Sequence, residues 1–302
     1  MIYYSRKGTI PAGTVPFSKG RKRKERRGQS PLGLSPSTMT TYDVLDIHVS
    51  AVNPDTAWAF IRDMVKGSVP FTTREGDSPS GDSPLLGYVC VAPVSTIVDA
   101  RRDLEYRRIV NAAAMVTPDG MPVAWLGRLK GLRDVRRTYG PDLMLRVCDE
   151  GRSHGFRHFF YGATDDICDR LEHNLKARFP GLVVAGTIAP PYMKEAAVLS
   201  AETVRKINAA KPDIIWVGLG SPKQDYWMAL NRAALEVPVM VGIGAAFDFH
   251  AGVKPQAPRW MRVCALEWLF RLFCEPRRLW RRYLVGNVLF LYWLVKEAFV
   301  RK

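Results

Sequence analysis

The sequence predicts an α/β fold, a doubly wound and mostly parallel sheet with helices on both faces, followed by a C-terminal amphipathic helical appendage. Short apolar runs without polar interruptions alternate with helical patterns, which is typical of strands that are buried on both faces. From residue 259 onward, arginines and aromatic side chains recur at helical spacing. These two observations place a parallel sheet in the body of the chain and helices at its end.

The elements of the body are expected in the following order. The first strand is expected at 42–49, and a helix capped by Asn53 or Asp55 follows it. Residues 67–86 are rich in Ser, Gly, Asp and Pro, which predicts a surface loop. Further strands are expected at 88–91, 114–116, 158–161, 182–185, 214–218 and 237–243. Helices between them include 141–154, 165–178 and 226–234.

The charge lies at the two ends of the chain. The net charge is +15; residues 1–38 hold nine Lys or Arg and one Glu, and residues 259–302 hold ten Lys or Arg and three Glu. The body at 39–258 is therefore neutral, which argues against a folded nucleic-acid-binding surface and favours an anionic lipid or a diphosphate as partner. We expect a disordered basic leader, an α/β domain and a membrane-associating appendage with these bounds. The basic run at 19–27 is best explained as a solvated tail, with lipid or nucleic-acid binding as the alternatives.

Cysteine content and hydropathy limit the compartment. The five cysteines are scattered and form no CxxC pair, which argues for a reducing compartment and against disulfides or a zinc site. No run of 18 or more apolar residues occurs, so no membrane-spanning helix is expected.

Loops at the predicted strand ends carry the chemistry. Asp119 lies on a turn after the strand at 114–116, and Arg137 precedes a helix N-terminus opened by Pro141. Gly162 lies in a short turn before a helix. The loop at 218–225 holds two glycines, and its Lys223 and backbone N–H groups could neutralise a diphosphate, while Gln224 could bind a hydroxyl or a uracil edge. Each loop alone is more typical of turn chemistry; together they predict a nucleotide-sugar pocket.

The glycine-rich segment at 242–252 follows an apolar strand and contains Asp248. It has two interpretations: a tight turn in front of an aromatic core helix, or an anion-binding loop beside a helix N-terminus.

The chain resembles the WecG/TagA/CpsF glycosyltransferase family over roughly residues 40–290. The motifs that carry the resemblance are Asp119-Gly with Pro122, Arg137-x-x-Gly-x-Asp-Leu143, Gly220-Ser-Pro-Lys-Gln224, Gly244-Ala-Ala-Phe-Asp-Phe-His-Ala-Gly252, and Ala257-Pro-Arg-Trp through Leu266-Glu-Trp-Leu-Phe-Arg-Leu272 and on into Glu275-Pro-Arg-Arg-Leu-Trp-Arg-Arg-Tyr283.

The resemblance implies an inverting transfer of a sugar from a UDP-sugar to a saccharide on undecaprenyl diphosphate, at the cytoplasmic face of the membrane, in cell-surface polysaccharide synthesis. It implies no metal cofactor, and no convincing DxD lies on a strand-end loop here; the pair Asp165-Asp166 begins a helix and is interpreted as a cap. The sugar stays open between N-acetylmannosamine, its uronic acid, glucuronic acid and glucose, and so does self-association.

Residue roles follow from the same resemblance. Asp119 is implied as the general base and Arg137 as the cation that meets the diphosphate when UDP leaves. The implied donor-binding residues are Gly162, Gly218, Gly220, Pro222, Lys223, Gln224, Phe247 and Asp248. The implied contacts with the lipid diphosphate or the membrane are Arg259, Arg271, Arg277, Arg278, Arg281 and Arg282.

The chain departs from the family pattern at three places. Ala92-Pro93-Val94 replaces a Thr-x-Asn element, Gln256 replaces an Arg, and Asp225 replaces a Glu. These changes put substrate specificity in doubt and leave a second hypothesis, a catalytically impaired nucleotide-sugar-binding or scaffold protein of the same fold.

The tail is the last sequence feature. The apolar run at 283–295 is interrupted by Gly286 and Asn287, which predicts a helix lying in the membrane interface and not across the bilayer. A core helix that seals the domain is the alternative.

Overall fold

The centre of the molecule is a six-stranded parallel sheet. The structure, a computed structural model, describes residues 39–68 and 87–300; the expected leader and most of the expected loop at 67–86 lie outside this part. The strands are β3 Gly87–Ala92, β4 Met115–Pro118, β5 Arg157–Gly162, β6 Val183–Ile188, β7 Ile214–Gly218 and β8 Val239–Gly242. Their order is β4-β3-β8-β7-β5-β6, and every pairing is parallel, which confirms the predicted sheet.

Helices cover both faces of this sheet. All helices of the described residues, including α10 to α13 of the appendage, are in chain order α1 Pro54–Val65, α2 Val94–Arg102, α3 Leu104–Asn111, α4 Met121–Leu129, α5 Gly140–Glu150, α6 Asp165–Arg178, α7 Ala201–Ala209, α8 Lys223–Asn231, α9 Ala246–His250, α10 Arg259–Val263, α11 Glu267–Cys274, α12 Pro276–Trp280 and α13 Gly286–Val300. A 3-10 turn, Gly151–His154, extends α5, and a π-helical turn, Arg281–Val285, joins α12 to α13.

Alternate side chains of each strand enter different cores. Val89 packs with Ile61 of α1 and Met144 of α5, whereas Cys90 packs with Ile207 of α7 and Trp227 of α8. Because successive side chains of a strand point to opposite faces, a strand covered on both sides must be apolar throughout. The uninterrupted apolar runs of the sequence have this cause.

The sheet has a topological switch point between β5 and β7. From β5 the chain continues to the edge strand β6, whereas from β7 it continues in the opposite direction to β8. Gly162 and Gly218 end these strands and are register partners. Gly162 has φ +135°, and a Cβ there would lie 2.7 Å from the carbonyl carbon of Gly218. A crevice for ligands opens at such a point, and here only glycine permits the approach of the two loops.

The expected single strand at 42–49 is wrong. Two strands, β1 Thr41–Val44 and β2 Ile47–Ser50, form an antiparallel hairpin outside the main sheet. The turn residues Leu45 and Asp46 have φ values of 52° and 66°, the conformation that two-residue hairpin turns require. Burial of Leu45, which is 1% exposed, offsets the strain, and no glycine marks the turn in the sequence.

Two local expectations also change. The helix expected at 226–234 begins earlier, at Lys223, because Pro222 occupies its N-cap position, and it ends at Asn231. Asp248 was expected on a loop and lies within the short helix α9.

The C-terminal helix is continuous. The expectation that Gly286 and Asn287 interrupt it is wrong. The helix α12, the π-helical turn and α13 follow one another without a gap, so the stretch Pro276–Val300 is helical throughout. A glycine costs about 1 kcal/mol in a helix, which the burial of Phe290 offsets. By length and composition alone, the stretch Pro276–Val300 could cross a membrane. Of its most apolar part, 11% is buried inside the protein. On one side of this stretch, Phe290 packs with Ile97 and Val98 of α2.

The Gly162–Gly218 approach predicts the effect of a methyl group. Gly162→Ala should lower the free energy of unfolding by about 2 kcal/mol or more, because it adds a backbone clash to an unfavourable φ. The matched control is Gly131→Ala, at φ +88° with no atom within 4 Å of the added Cβ, for which about 1 kcal/mol is expected. Urea unfolding measures both, and equal losses would contradict the close approach.

Candidate functional site

Asp119 lies at the carboxyl end of β4, beside the end of β3. Its backbone N–H donates to the carbonyl of Ala92 at 3.4 Å, and Gly120 behind it caps α4. Thr138 donates to the carbonyl of Pro118 at 2.9 Å and so brings the segment with Arg137 alongside. The two residues predicted to be catalytic are therefore neighbours.

The Arg137 guanidinium is bound by three protein acceptors. Its Nε donates to the backbone carbonyl of Asp119, Nη1 to the carbonyl of Arg262 at 3.4 Å, and Nη2 to Oε2 of Glu267 at 2.5 Å. The ring of Tyr139 lies against it, 4.2 Å from Cζ. An arginine with fixed donors and a stacked face is held in a single orientation.

The Asp119 carboxylate is left with a free oxygen. Its Oδ1 is buried, has no hydrogen-bond partner, and lies 3.8 Å from Nη2 of Arg137. Burial raises the pKa of Asp119 from 3.8 to about 6, the positive charge of Arg137 opposes this increase, and the negative charge of Glu267 adds to it. A carboxylate with such a pKa, buried and with one oxygen free of hydrogen bonds, is suited to accept a proton near neutral pH.

A cavity of about 450 Å³, which we call the acceptor cavity, opens above Asp119. The turn at Asp119, Arg137 and the start of α2 form one wall, and the appendage forms the other. The appendage residues of this wall are Ala265, Glu267, Trp268, Arg271, Arg282, Tyr283, Leu284, Asn287, Val288, Phe290 and Leu291. The cavity therefore combines a carboxylate at its base and arginines in its walls with aromatic and aliphatic side chains, which fits a ligand that has both polar and apolar parts.

Glu267 and Tyr139 were not among the residues predicted from the sequence. Glu267 is 8% exposed and begins α11, whose other charged residue is Arg271. Tyr139 accepts a hydrogen bond from Nε2 of Gln256 at 3.3 Å. Gln256, which replaces the family's Arg, therefore contacts the tyrosine that stacks on Arg137. The isolated charge in Leu266-Glu-Trp268 was the available signal, because a buried carboxylate needs a cation.

The loop after β7 builds a second polar group of residues. Gln224 lies in the first turn of α8 and is 2% exposed; its Nε2 contacts Oγ of Ser221 at 3.1 Å. Its Oε1 is buried without a partner and faces Gly244, where a Cβ would lie 3.4 Å away. The amide predicted to bind the donor is therefore held by the loop and keeps an unused acceptor.

Asp225 lies beneath the same loop. Its Oδ2 accepts a hydrogen bond from the hydroxyl of Tyr106 at 2.7 Å. Burial raises the pKa of Asp225 to about 6, and the Tyr106 hydrogen bond opposes this increase. The substitution of Asp for the family's Glu thus lies in the support of the loop.

Three predicted donor residues contact protein groups. Lys223 donates to the carbonyl of Met193 at 3.0 Å, and Asp248 pairs with Lys254 at 2.7 Å. Phe247 is 1% exposed and supports the switch point from below, because a Cβ on Gly218 would lie 2.6 Å from its ring. None of the three lines the acceptor cavity.

The predicted arginines fall into two groups. Arg271 and Arg282 line the acceptor cavity. A smaller cavity of about 300 Å³ is lined by Arg281, by Arg282 and by Ser221 of the loop at 218–225, which we call the donor loop. Arg259, Arg277 and Arg278 are exposed, and Arg278 pairs with Glu275. The first group can meet a bound diphosphate, and the second faces the surroundings.

The sequence matches a known family of enzymes over most of its length. The model of the "Glycosyl transferase WecG/TagA/CpsF family" matches residues 42–302. Similar proteins include the N-acetylglucosaminyldiphosphoundecaprenol N-acetyl-beta-D-mannosaminyltransferases of Bacillus spizizenii, 32% identical over 62% of this chain and 70% of the relative, and of Bacillus subtilis, 29% identical over 61% and 70%. The enzyme of the same name from Staphylococcus aureus is 27% identical over 63% of this chain and 72% of its own.

The raised pKa of Asp119 predicts a stability change with pH. A carboxyl whose pKa is higher when folded stabilises the fold at low pH, and this contribution is lost as the pH rises from 3.8 to about 6. Asp119→Asn should therefore be more stable than the wild type by about 3 kcal/mol at pH 7.5 and by only about 0.5 kcal/mol at pH 4.

Urea unfolding at both pH values measures this difference. The control is Asp149→Asn, an exposed carboxylate paired with Arg152, for which no such gain is expected. A gain for Asp119→Asn of the same size at pH 4 and pH 7.5 would contradict the burial of a charged carboxylate.

Proposed function

The chain belongs to the WecG/TagA/CpsF glycosyltransferase family, and from this premise we propose that it transfers a hexose from a UDP-sugar, with inversion, to a saccharide on a polyprenyl diphosphate. The observation that carries the proposal is the buried Oδ1 of Asp119, which has no hydrogen-bond partner, at the base of a cavity lined by arginines and by aromatic and aliphatic side chains. The names of the relatives support an acceptor linked to undecaprenyl diphosphate.

In the proposed reaction Asp119 is the general base. The acceptor hydroxyl gives its proton to Oδ1 while its oxygen bonds to the anomeric carbon from the face opposite UDP. The bond between that carbon and the β-phosphate oxygen breaks, and the electron pair leaves with UDP. One carboxylate is sufficient for this single displacement, which inverts the anomeric centre.

The leaving UDP needs positive charge. Arg271 and Arg282 line the acceptor cavity, and Arg282 also lines the smaller cavity beside the donor loop. We assign the donor diphosphate to the region between the two cavities, where Arg282 lies, and the nucleoside to Gln224 and the glycine loops. The contact of Arg137 with the diphosphate stays a prediction, and its bound nitrogens favour a role in orienting Asp119.

The relatives favour N-acetylmannosamine as the sugar to test first, ahead of glucuronic acid. Release of UDP from a panel of UDP-sugars, with a prenyl-diphosphate-linked N-acetylglucosamine acceptor, identifies the donor. The same assay tests the alternative of a catalytically impaired binding protein. Such a protein would bind the UDP-sugar and would form no UDP from it. Metal independence and self-association stay predictions, which a chelator and a mass measurement in solution test.

Asp119→Asn should abolish transfer, with a loss of at least about 10³-fold in kcat, because an amide cannot take the proton. Binding of UDP, measured by calorimetry, should stay within about 3-fold, since Asp119 lies in the acceptor cavity. Asp149→Asn is the surface control. Wild-type turnover in Asp119→Asn would refute the assignment of the base.

We further propose that the protein is attached to an anionic membrane surface through α13 and does not span it. The outer side of α13 is apolar and exposed, with Val295 at 55% and Phe299 at 76%. The inner side packs on α2, where Arg101 lies 3.4 Å from Glu297. The ion pair of Glu297 with Arg101 and the packing of Phe290 on α2 keep one side of the helix against the protein, and an exposed apolar face with nearby arginines fits the membrane interface. The cytoplasmic face is part of this proposal.

Replacement of the outer face tests the membrane role. The double variant Val295→Glu with Phe299→Glu should lose binding to phosphatidylglycerol vesicles by at least about 10-fold, because it removes two apolar anchors and adds negative charge. The matched control is Val198→Glu, 70% exposed and outside the appendage. Co-sedimentation measures the binding, and unchanged binding of the double variant would contradict the proposal.

A further inference from the structure

The appendage contributes a carboxylate to the environment of the catalytic base. Glu267 is the first residue of α11, its side chain is 10% exposed, and it lines the acceptor cavity with Asp119 and Arg137. A buried carboxylate is unfavourable unless a cation pairs with it. Glu267 is thus held in the cavity by Arg137, and its presence there needs an explanation beyond packing.

The ion pairs of Arg137 are unequal. Nη2 lies 2.5 Å from Oε2 of Glu267 and 3.8 Å from Oδ1 of Asp119. Nε and Nη1 are bound to the backbone carbonyls of Asp119 and Arg262. The guanidinium therefore gives its charged hydrogen bond to Glu267 and leaves Oδ1 of Asp119 without a donor. Without Glu267, Nη2 would be free to bind Oδ1.

We propose that Glu267 is a positioning residue of the transfer reaction, which binds Nη2 of Arg137 and thereby keeps Oδ1 of Asp119 free for the acceptor hydroxyl. This inference rests on the proposed function, because it assigns to Asp119 the role of base. It also makes the base competent only when α11 is docked against the α/β body, so that the appendage completes the catalytic arrangement as well as the wall of the cavity.

The charged groups around Asp119 set the direction of the test. Arg137 and Arg271 lower the pKa of its carboxyl, Glu267 raises it, and the backbone N–H of Gly140 lowers it. Tyr139 adjoins the cluster, with its pKa raised by burial. Removing the charge of Glu267 takes away a negative neighbour and also releases Arg137 toward Asp119. Both effects lower the pKa of Asp119.

The variant Glu267→Gln keeps the size of the side chain and removes its charge. The pKa of Asp119, measured by ¹³C NMR of aspartate-labelled protein, should fall by about one pH unit. The lower limb of the pH profile of kcat/KM should move to lower pH with it. At pH 7.5 kcat should fall by at least about 10-fold while the KM for the UDP-sugar is unchanged.

The matched control is Glu275→Gln. Glu275 also lies in the appendage and pairs with Lys254 at 3.2 Å and with Arg278, away from the cavity. A loss of appendage docking alone would affect both variants alike. The proposal therefore expects the titration of Asp119 and the pH profile to be those of the wild type in Glu275→Gln.

Two results would overturn the inference. One is a pKa of Asp119 in Glu267→Gln equal to that of the wild type. The other is measured in the double variant Arg137→Gln with Glu267→Gln. This variant replaces both members of the ion pair, so neither charge is left buried without its partner. If Glu267 acts through Arg137, kcat of the double variant equals that of Arg137→Gln, and a further loss contradicts the proposal.

The NMR titration needs no turnover, so the failure of this inference is separate from failure of the proposed function. Wild-type turnover in Asp119→Asn refutes the function. An inactive Asp119→Asn together with an unshifted titration in Glu267→Gln refutes only the role of Glu267.

Discussion

The rest of the site depends on the fixation of one guanidinium. Arg137 joins the loop after β4 to the appendage, because its nitrogens bind a carbonyl of the former and a carbonyl and a carboxylate of the latter. A buried arginine must be paired, and each partner that satisfies it also fixes a wall of the acceptor cavity. The same contacts leave Oδ1 of Asp119 buried and without a hydrogen-bond donor, which is the property that a base requires.

The sheet separates two binding tasks. The donor loops lie at the switch point between β5 and β7, where Gly162 and Gly218 allow close approach. Asp119 lies at the ends of β3 and β4, on the other side of β8. Ser95 and Arg282 line both the acceptor cavity and the smaller cavity beside Ser221, so they lie where the two substrates would meet. Ser95 directly follows the altered segment Ala92-Pro93-Val94, which has no hydroxyl of its own, and contributes a hydroxyl beside it.

The sheet and the location of Asp119 and Arg137 could be predicted because they depend on local pattern: apolar runs, glycine turns and ordered motifs. The hairpin at Leu45 and Asp46 could not, since a buried leucine there replaces the usual glycine. Glu267 and Tyr139 were missed because their roles arise from contacts across the fold, Glu267 lying 130 positions from Arg137. The continuity of α13 was missed because packing on α2 offsets the weak propensity of Gly286. The roles of Lys223 and Asp248 in donor binding stay predictions.

The central claim is a single displacement assisted by one carboxylate, and the anomeric configuration of the product tests it most directly. With an α-linked UDP-hexose and a prenyl-diphosphate-linked saccharide, the one-bond carbon–proton coupling at the new anomeric centre distinguishes the two outcomes by NMR. A single displacement gives a β-linked product. An α-linked product would require retention of configuration, which direct attack by a hydroxyl activated by Asp119 does not give, and would contradict the account.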